Sequence, residues 1–408
     1  MKIAFVTQPG HAVLPAAGSL EIWTAEVARR LAGEHAVTIF ASRSARTTDT
    51  TEAGIDYRFV PHTGQSVNRA LRGVWRLRSI RKPFFASTLF PFSYWYGVGL
   101  QLRRGGYDVA HVFNYSQALP ILRRLAPDTK LVLHMQCEWL LQLDQRMLAR
   151  RLKHAHAILA CSDALTNGAR ERFPAVAHRC HTVPNGTDLD ALDFERNGSA
   201  DPSRLLYVGR ISPEKGLHVL MDAFDALFAE RPGLQLTLVG EEASPPPEML
   251  VRLAGDEKTR QLESFYAGSY LAALRARLSP AAAEHVHFTG AVPYAQVAEQ
   301  YRDADMFVFP SYMEAFGMPL AEALASGLPA IGARTGGIVD IIDDGVTGLL
   351  VESGDTAGLI GALRRLLDEP ELRRSLAAAG RRKARERFSW DHVAAATERH
   401  FAGAAAAH

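Results

Sequence analysis

Apolar and polar positions along the chain fall into two alternating patterns. Short apolar runs bounded by Gly, Pro, Asn or Ser read as strands buried on both faces. Between them, apolar residues recur every three or four positions, the period of an amphipathic helix. "KIAFVT" opens as a strand, "SLEIWTAEVARRLAGE" follows as a helix, and "AVTIFAS" returns as a strand. "DVAHVF", "KLVLHM" and "AILACS" continue the strands, with helical periodicity near 116–126, 140–153 and 163–173. A polar, turn-rich stretch, "DALDFERNGSADPS" (190–203), breaks the pattern and reads as a linker. The alternation then restarts with "RLLYVG", the helix "GLHVLMDAFDALFAE", "LQLTLVG", "HVHFTG" and the helix "YAQVAEQYRDA". Alternation of this kind implies parallel sheets covered by helices on both faces. Run twice, it predicts an α/β protein of two doubly wound, Rossmann-like domains, 1–195 and 203–388. In such folds ligands sit beyond the carboxyl ends of strands, so a cleft between the domains is the expected site.

Composition agrees with that picture and narrows it. At 408 residues the chain has room for two domains of about 200 residues each. No apolar run reaches the roughly 18 residues needed to cross a bilayer, and "MKIAFVTQ" enters a strand directly, without the pattern of a signal peptide. Cys137, Cys161 and Cys180 form no close-spaced pair, so a reducing, cytoplasmic setting is expected. The 15 histidines are scattered, "HAH" at 154–156 reads as surface, and no metal site is expected. Charge is uneven. Residues 1–196 carry 25 Lys and Arg against 16 Asp and Glu, and the remainder 21 against 28, so +9 is followed by −7. The first half therefore suits an anionic partner, but no nucleic-acid reading module accompanies it.

Two loops carry candidate chemistry. "ADMFVFPS" (304–311) is a buried strand, followed by "YMEAFGMPLAEALASG", in which Pro319 fits the first turn of a helix. A helix N-terminus after a parallel strand presents unpaired N–H groups to a phosphate, and Gly317 lets that phosphate approach the backbone. Glu314 and Glu322 would repel the phosphate but can accept hydrogen bonds from hydroxyls on either side of it. Hydroxyls, phosphate and further hydroxyls describe a nucleotide sugar. The competing reading is an exposed loop Glu and a first-turn Glu favoured by the helix dipole. "YVGRISPEKG" (207–216) follows the first strand of the second half. There Arg210 and Lys215 could neutralise a diphosphate, or could be two exposed cations on a surface turn. Residues 241–266 are long for a connection, and read as a lid, an acceptor contact or a solvated insertion. Residues 68–97 carry six Arg and Lys, followed by seven aromatics between Phe84 and Tyr96. They suit an anionic membrane surface or lipid-linked acceptor, or else form a solvated helix face followed by buried aromatics.

In order along the chain, "VPNGTD", "GRISPEKG", "HFTGAVP", "EAFGMPLAEALASGLP", "TGGIVDII" and "GVTGLLV" resemble the GT4 family, the family 4 retaining glycosyltransferases of GT-B fold. "LVLHMQCEW" (131–139) and the closing "RFSWDHV" extend the resemblance over nearly the whole chain. The resemblance implies an acceptor-binding first domain, onto which a final helix, 389–408, crosses back, and a second domain binding the nucleotide sugar. It implies that Glu314 holds the donor sugar's hydroxyls and Glu322 the ribose diol. Arg210 and Lys215 would bind the diphosphate, with backbone N–H groups near Phe316, Gly317 and Met318. The backbone from Gly290 to Val292 would meet the base. His134 would contact the sugar; the competing reading is a satisfied core histidine. Gly18, implied to bind the donor, stands where the family has a glycine pair in a loop that meets the phosphate or the acceptor, and "PAAGSLE" keeps only one of them. Metal-independent transfer with no cofactor is implied, from a UDP-sugar to a hydroxyl acceptor such as a sugar, lipid-linked sugar or small molecule. Cell-surface polysaccharide, glycolipid or glycosylated-metabolite synthesis would use such a step. A nucleotide-sugar epimerase on the same fold, or a non-catalytic sugar-nucleotide-binding protein, is the alternative.

Overall fold

A computed structural model describes residues 1–10, 13–14, 18–44, 47–62, 79–194 and 202–406. The chain divides into two compact units, Met1–Asn185 together with Trp390–His408, and Gly186–Ser389.

The first unit is built on a sheet of eight strands: β1 (Lys2–Val6), β2 (Ala36–Ser42), β3 (Thr50–Glu52), β4 (Ile55–Val60), β5 (Val109–Phe113), β6 (Lys130–Met135), β7 (Ala157–Ala160) and β8 (Cys180–Thr182). Their order across the sheet is β3-β4-β2-β1-β5-β6-β7-β8. Every pair is parallel except the β3–β4 hairpin. Ile3, Ala4, Phe5 and Val6 are fully buried, which is why β1 is an unbroken apolar run rather than an alternating one. Helix Ser19–Leu31 buries Ile22, Trp23, Val27, Ala28 and Leu31 along one stripe. Its basic end faces the final helix, Trp390–Ala406, where Arg30 Nε donates to Asp391 Oδ1 at 2.5 Å and His35 Nε2 meets Glu398 Oε1 at 2.7 Å. The final helix also packs on the sheet, with Phe401 5.9 Å from Phe5 of β1, ring to ring. The chain thus returns to the unit in which it began, as the closing motif implied.

The second unit holds six parallel strands: β9 (Arg204–Val208), β10 (Gln235–Val239), β11 (Val286–Gly290), β12 (Met306–Phe309), β13 (Ala330–Ala333) and β14 (Leu349–Val351). Their order is β11-β10-β9-β12-β13-β14. The chain winds outward from β9 in one direction, then returns to β12 and winds outward in the other. The strand order therefore reverses between β9 and β12, and loops leaving their carboxyl ends diverge around a crevice. Glycines hold these loops together. A Cβ at Gly216, whose φ is +69°, would run into the Pro310 carbonyl oxygen, so the loop after β9 lies backbone to backbone against the loop after β12.

The two segments with open readings also have structure. Residues 241–266 are not simply solvated. They form short helical turns, Pro247–Met249, Val251–Leu253 and Glu257–Gln261, leading into Leu262–Ala267, and they bury Val251, Leu253 and Leu262. In 68–97, residues 68–78 lie outside the described residues. Of the remainder, Phe84, Phe85, Tyr94 and Trp95 are core, and Tyr94 Oη donates to Phe40 O at 2.9 Å. Among the described residues no helix is long and apolar enough to cross a membrane.

Candidate active site

The crevice at the carboxyl ends of β9 and β12 collects four of the predicted residues. After β9 the chain makes one 3₁₀ turn, Pro213–Lys215, stopped by left-handed Gly216. Lys215 points from that turn to Glu314 on the loop after β12, with Nζ 2.6 Å from Oε2. Both side chains are largely buried, at 12% and 14% exposure, so the pair is partly withdrawn from water and tightly coupled. Lys215 Nζ also lies 5.7 Å above the Phe309 ring, the last residue of β12. Arg210, on the same loop, is more open at 45% exposure, and its Nη2 lies 3.1 Å from Glu214 Oε1.

Glu214 is the anchor of this loop. It is 2% exposed and accepts from Ser212 Oγ at 2.7 Å and from Tyr266 Oη at 3.3 Å. Tyr266 comes from the 241–266 insertion, and its neighbour Phe265 stacks on His218, with ring centroids 4.7 Å apart. His218 in turn sits 2.8 Å from Tyr270 Oη and 3.3 Å from Tyr312 Oη. The insertion therefore clamps the loop that carries both cations. Only its length was visible in the sequence, because a tyrosine 52 residues from its partner leaves no local signal.

Gly317 is the N-cap of helix Met318–Ala325, with φ +106° and ψ +56°. A Cβ there would meet only ordinary van der Waals neighbours, so the glycine is required by backbone conformation, not by space. Its loop is braced from below. Gly337 N donates to Glu314 O at 2.9 Å, and a Cβ at Gly337 would strike the backbone at Ala315. Phe316 and Met318 are buried under the helix start, which leaves their backbone as the part able to meet a ligand.

Glu322 lies further along that helix, 5% exposed. Tyr301 Oη donates to its Oε2 at 2.8 Å, and Tyr294 Oη to its Oε1 at 3.2 Å. Burial pushes its carboxyl up to about 7; the two tyrosine hydroxyls oppose that rise, and Asp188 adds to it. A carboxylate oxygen has two lone-pair directions, so each oxygen retains one for a further hydroxyl. Both tyrosines were missed from sequence, although their seven-residue spacing puts them on one face of helix Tyr294–Asp303. Gly290, left-handed at φ +72°, accepts from Gly240 N at 3.0 Å, and Val292 is half-buried just beyond.

The predicted residues of the first unit form a different assembly. His134, inside β6, is fully buried, with its Nδ1 3.0 Å from His111 Nε2 and its Nε2 3.1 Å from Gln136 Nε2. Trp23 stacks on His111 and meets His134 edge-on at 4.9 Å. Burial holds the His134 imidazole neutral, its pKa lowered to about 3, with His400 adding to the shift. The geometry is that of a core histidine. The polar surface beside it belongs to Gln136, which exchanges two amide hydrogen bonds with Asn185, at 2.7 and 2.9 Å. Asn114, in the left-handed region at φ +54°, accepts from Gln136 N at 2.7 Å. Gly18 caps helix Ser19–Leu31 in extended conformation, beside Glu21 of the first turn. The preceding Pro15, Ala16 and Ala17 lie outside the described residues. Among the described residues, no group of three His, Cys, Asp or Glu is placed to hold a metal ion.

Known proteins share both the architecture and the sequence. Sucrose-phosphate synthase from Thermosynechococcus elongatus superposes with a TM-score of 0.73 at 22% identity, over 98% of each chain. Anabaena HepE, solved in complex with UDP and glucose, superposes with a TM-score of 0.70 at 19% identity, over 98% of this chain and 99% of that one. At such identity these likenesses establish the fold alone, two Rossmann-like sheets in the GT-B class. A D-inositol 3-phosphate glycosyltransferase of Geodermatophilus obscurus is 36% identical over 231 residues, 55% of this chain and 47% of that protein. The chain spans about half the length of this and the next curated relatives it matches. Two family descriptions meet almost end to end, Glycosyltransferase Family 4 over residues 20–191 and Glycosyl transferases group 1 over 190–383. Together they take in nearly the whole chain, including every site loop described above except the stretch before residue 20: this chain belongs to the family 4, group 1 glycosyltransferases.

Proposed function

We propose that the protein is a retaining glycosyltransferase that moves a sugar from a nucleotide-diphosphate donor, a UDP-sugar, to a hydroxyl acceptor. The observation that carries the reading is the meeting of Lys215, Arg210 and Glu314 at the crevice between β9 and β12, beside the left-handed cap at Gly317. Cations there meet the charge that develops on a departing diphosphate. The diphosphate lies against Lys215, Arg210 and the N–H groups near Phe316, Gly317 and Met318. Glu314 accepts hydrogen bonds from the sugar, Glu322 from the ribose, and the Gly290–Val292 backbone faces the base. The Anabaena relative's complex with UDP and glucose supports the choice of UDP. In this reading the second unit binds donor and the first binds acceptor. The first unit's part falls to Gln136 and Asn185, the polar groups beside buried His134, and to the loop at Gly18.

In the reaction, the bond from the anomeric carbon to the diphosphate oxygen breaks and its electron pair stays on that oxygen. The acceptor oxygen bonds to the same face of the anomeric carbon, and its proton passes to the leaving diphosphate. Glu314 serves as hydroxyl acceptor rather than nucleophile, because its charge is committed to Lys215 at 2.6 Å. Peripheral contact with an anionic membrane rests on Arg81 and Lys82 beside exposed Ile80, Leu89, Phe92 and Tyr96. The deciding experiment is calorimetric titration of a panel of nucleoside diphosphates and nucleotide sugars, with donor hydrolysis followed in parallel. UDP binding that weakens in Lys215→Ala is the expected result; UDP that fails to bind the wild-type chain refutes the reading.

A further inference from the structure

At the amino-terminal edge of β7 and β8, the first unit has a cavity of about 700 Å³. Among the described residues, Arg123, Lys153, Arg179 and Arg399 line it, five histidines join them, and no carboxylate does. The "HAH" motif, which reads as plain surface, supplies two of the five, His154 and His156.

Helix ends explain part of this charge. Helices Ala118–Leu125 and Gln145–Leu152 finish here, and the partial negative charge of their last carbonyls favours cations. Arg123 Nη1 donates to Pro127 O at 2.8 Å, and Arg179 Nη1 to Ala155 O at 2.9 Å. Lys153 and Arg399 have no such anchor. Among the described residues no hydrogen bond or ion pair holds either side chain, and both are exposed. His181 and His400 stack with ring centroids 4.5 Å apart, and His156 is fixed by accepting Leu131 N at 3.0 Å.

The cluster is electrostatically self-opposed. Burial lowers the His400 imidazole to about 4, with His181 and Arg399 adding to the shift. Burial likewise lowers His156, aided by Lys130, Arg123 and Arg179, and lowers His181, aided by Arg170 and His178. Like charges converging on one concavity cost free energy that a multivalent anion relieves. Guanidinium forks and a mobile ammonium match phosphate oxygens, whereas no metal-holding group of His, Cys, Asp or Glu occurs among the described residues.

We infer that this cavity is a binding site for a polyvalent oxyanion, a phosphate-bearing small molecule or headgroup. The inference is independent of the donor-site reading, since it concerns the other unit. Its probe is inorganic pyrophosphate, titrated calorimetrically at low ionic strength into the full chain, into Lys215→Ala, and into the double variant Lys153→Ala/Arg399→Ala. Both substituted side chains of the double variant are exposed, and its melt by circular dichroism checks folding. Lys215→Ala retains a pyrophosphate-binding component that the double variant loses or weakens roughly tenfold or more. Pyrophosphate binding that is wild-type in the folded double variant, or that vanishes in Lys215→Ala, overturns the inference. Vesicles of phosphatidylglycerol distinguish the source. Sedimentation of Lys215→Ala but not of the double variant, reversed by pyrophosphate, identifies a headgroup; pyrophosphate binding without sedimentation identifies a free phosphate compound.

Discussion

The two units use the same architecture to opposite ends. Each has a parallel sheet whose order reverses around a central strand, β1 in one and β9 in the other. In the second unit, the residues flanking that reversal are charged, lie in loops, and pair with one another through Lys215–Glu314 and Arg210–Glu214. In the first, the corresponding interior is a neutral stack of Trp23, His111 and His134. Here even the polar atoms Trp23 Nε1 and His111 Nδ1 lack a hydrogen-bond partner among the described residues. A polar residue just past a strand end can reach a ligand. One inside the strand, alternating toward a packed helix, becomes core.

The comparison breaks most visibly at Trp23. Trp23→Ala removes the ring that covers both histidines and is expected to destabilise the first unit by about 3–5 kcal/mol. All five tryptophans belong to that unit's sequence, so denaturant unfolding followed by the remaining tryptophan fluorescence reads it directly. An unchanged transition would show that the stack is not the core of the unit.

Acidity separates the units next. His134, lowered to about 3 in the fold, contributes stability fully present above its unfolded value near 6.5 and lost as pH falls toward 3. Glu322, raised to about 7, does the reverse: its contribution is present below about 4.5 and lost as pH rises to about 7. Between pH 4.5 and 6.5 the His134 contribution to the first unit grows as pH rises and the Glu322 contribution to the second shrinks, by on the order of 2 kcal/mol each, while His218, lowered by burial to about 4, opposes Glu322 within the second unit. Tryptophan fluorescence reports the first trend, and hydrogen exchange of β9 and β12 amides the second. Glu322→Gln should leave the first trend unchanged and make the second unit gain stability with pH through His218; a second-unit profile that matches wild type assigns the effect elsewhere.

Within the second unit, Lys215→Ala should weaken UDP by roughly 1–3 kcal/mol, and more than Arg210→Ala does. It removes a cation and also leaves the largely buried Glu314 facing the diphosphate alone. Equal losses in the two variants would contradict the central place given to the Lys215–Glu314 pair. The two glutamates sharpen this further. Glu322→Gln is expected to weaken UDP itself by about 1–2 kcal/mol, and Glu314→Gln to spare UDP but weaken UDP-sugar or slow turnover. Paired titrations with and without the sugar test it, and identical profiles for both variants would end the division of labour. Smallest is Tyr266→Phe, which loosens Glu214 and so Arg210, at about 0.5–1.5 kcal/mol in UDP affinity. Restoration of wild-type affinity at saturating osmolyte with an unchanged melt would point to local positioning, while no loss at all would free the insertion from that role.

Much of this was legible along the chain. The strand–helix alternation and the restart after residue 203 follow from local periodicity, which each segment carries by itself. Gly317 and the cations of "GRISPEKG" are equally local, because left-handed caps and strand-end turns select residue types at fixed offsets. What the tertiary structure decided was pairing across distance. Lys215 and Glu314 are 99 residues apart, and Tyr266 reaches Glu214 over 52, separations at which sequence holds no register. The depth of a histidine is of the same kind. "LVLHMQCEW" shows His134 near a strand end, but only the packing of Trp23 and the returning helix Trp390–Ala406 makes it core and leaves Gln136 at the edge. Periodicity is a property of neighbours along the chain, whereas burial, ion pairing and the acidity they set belong to neighbours in space.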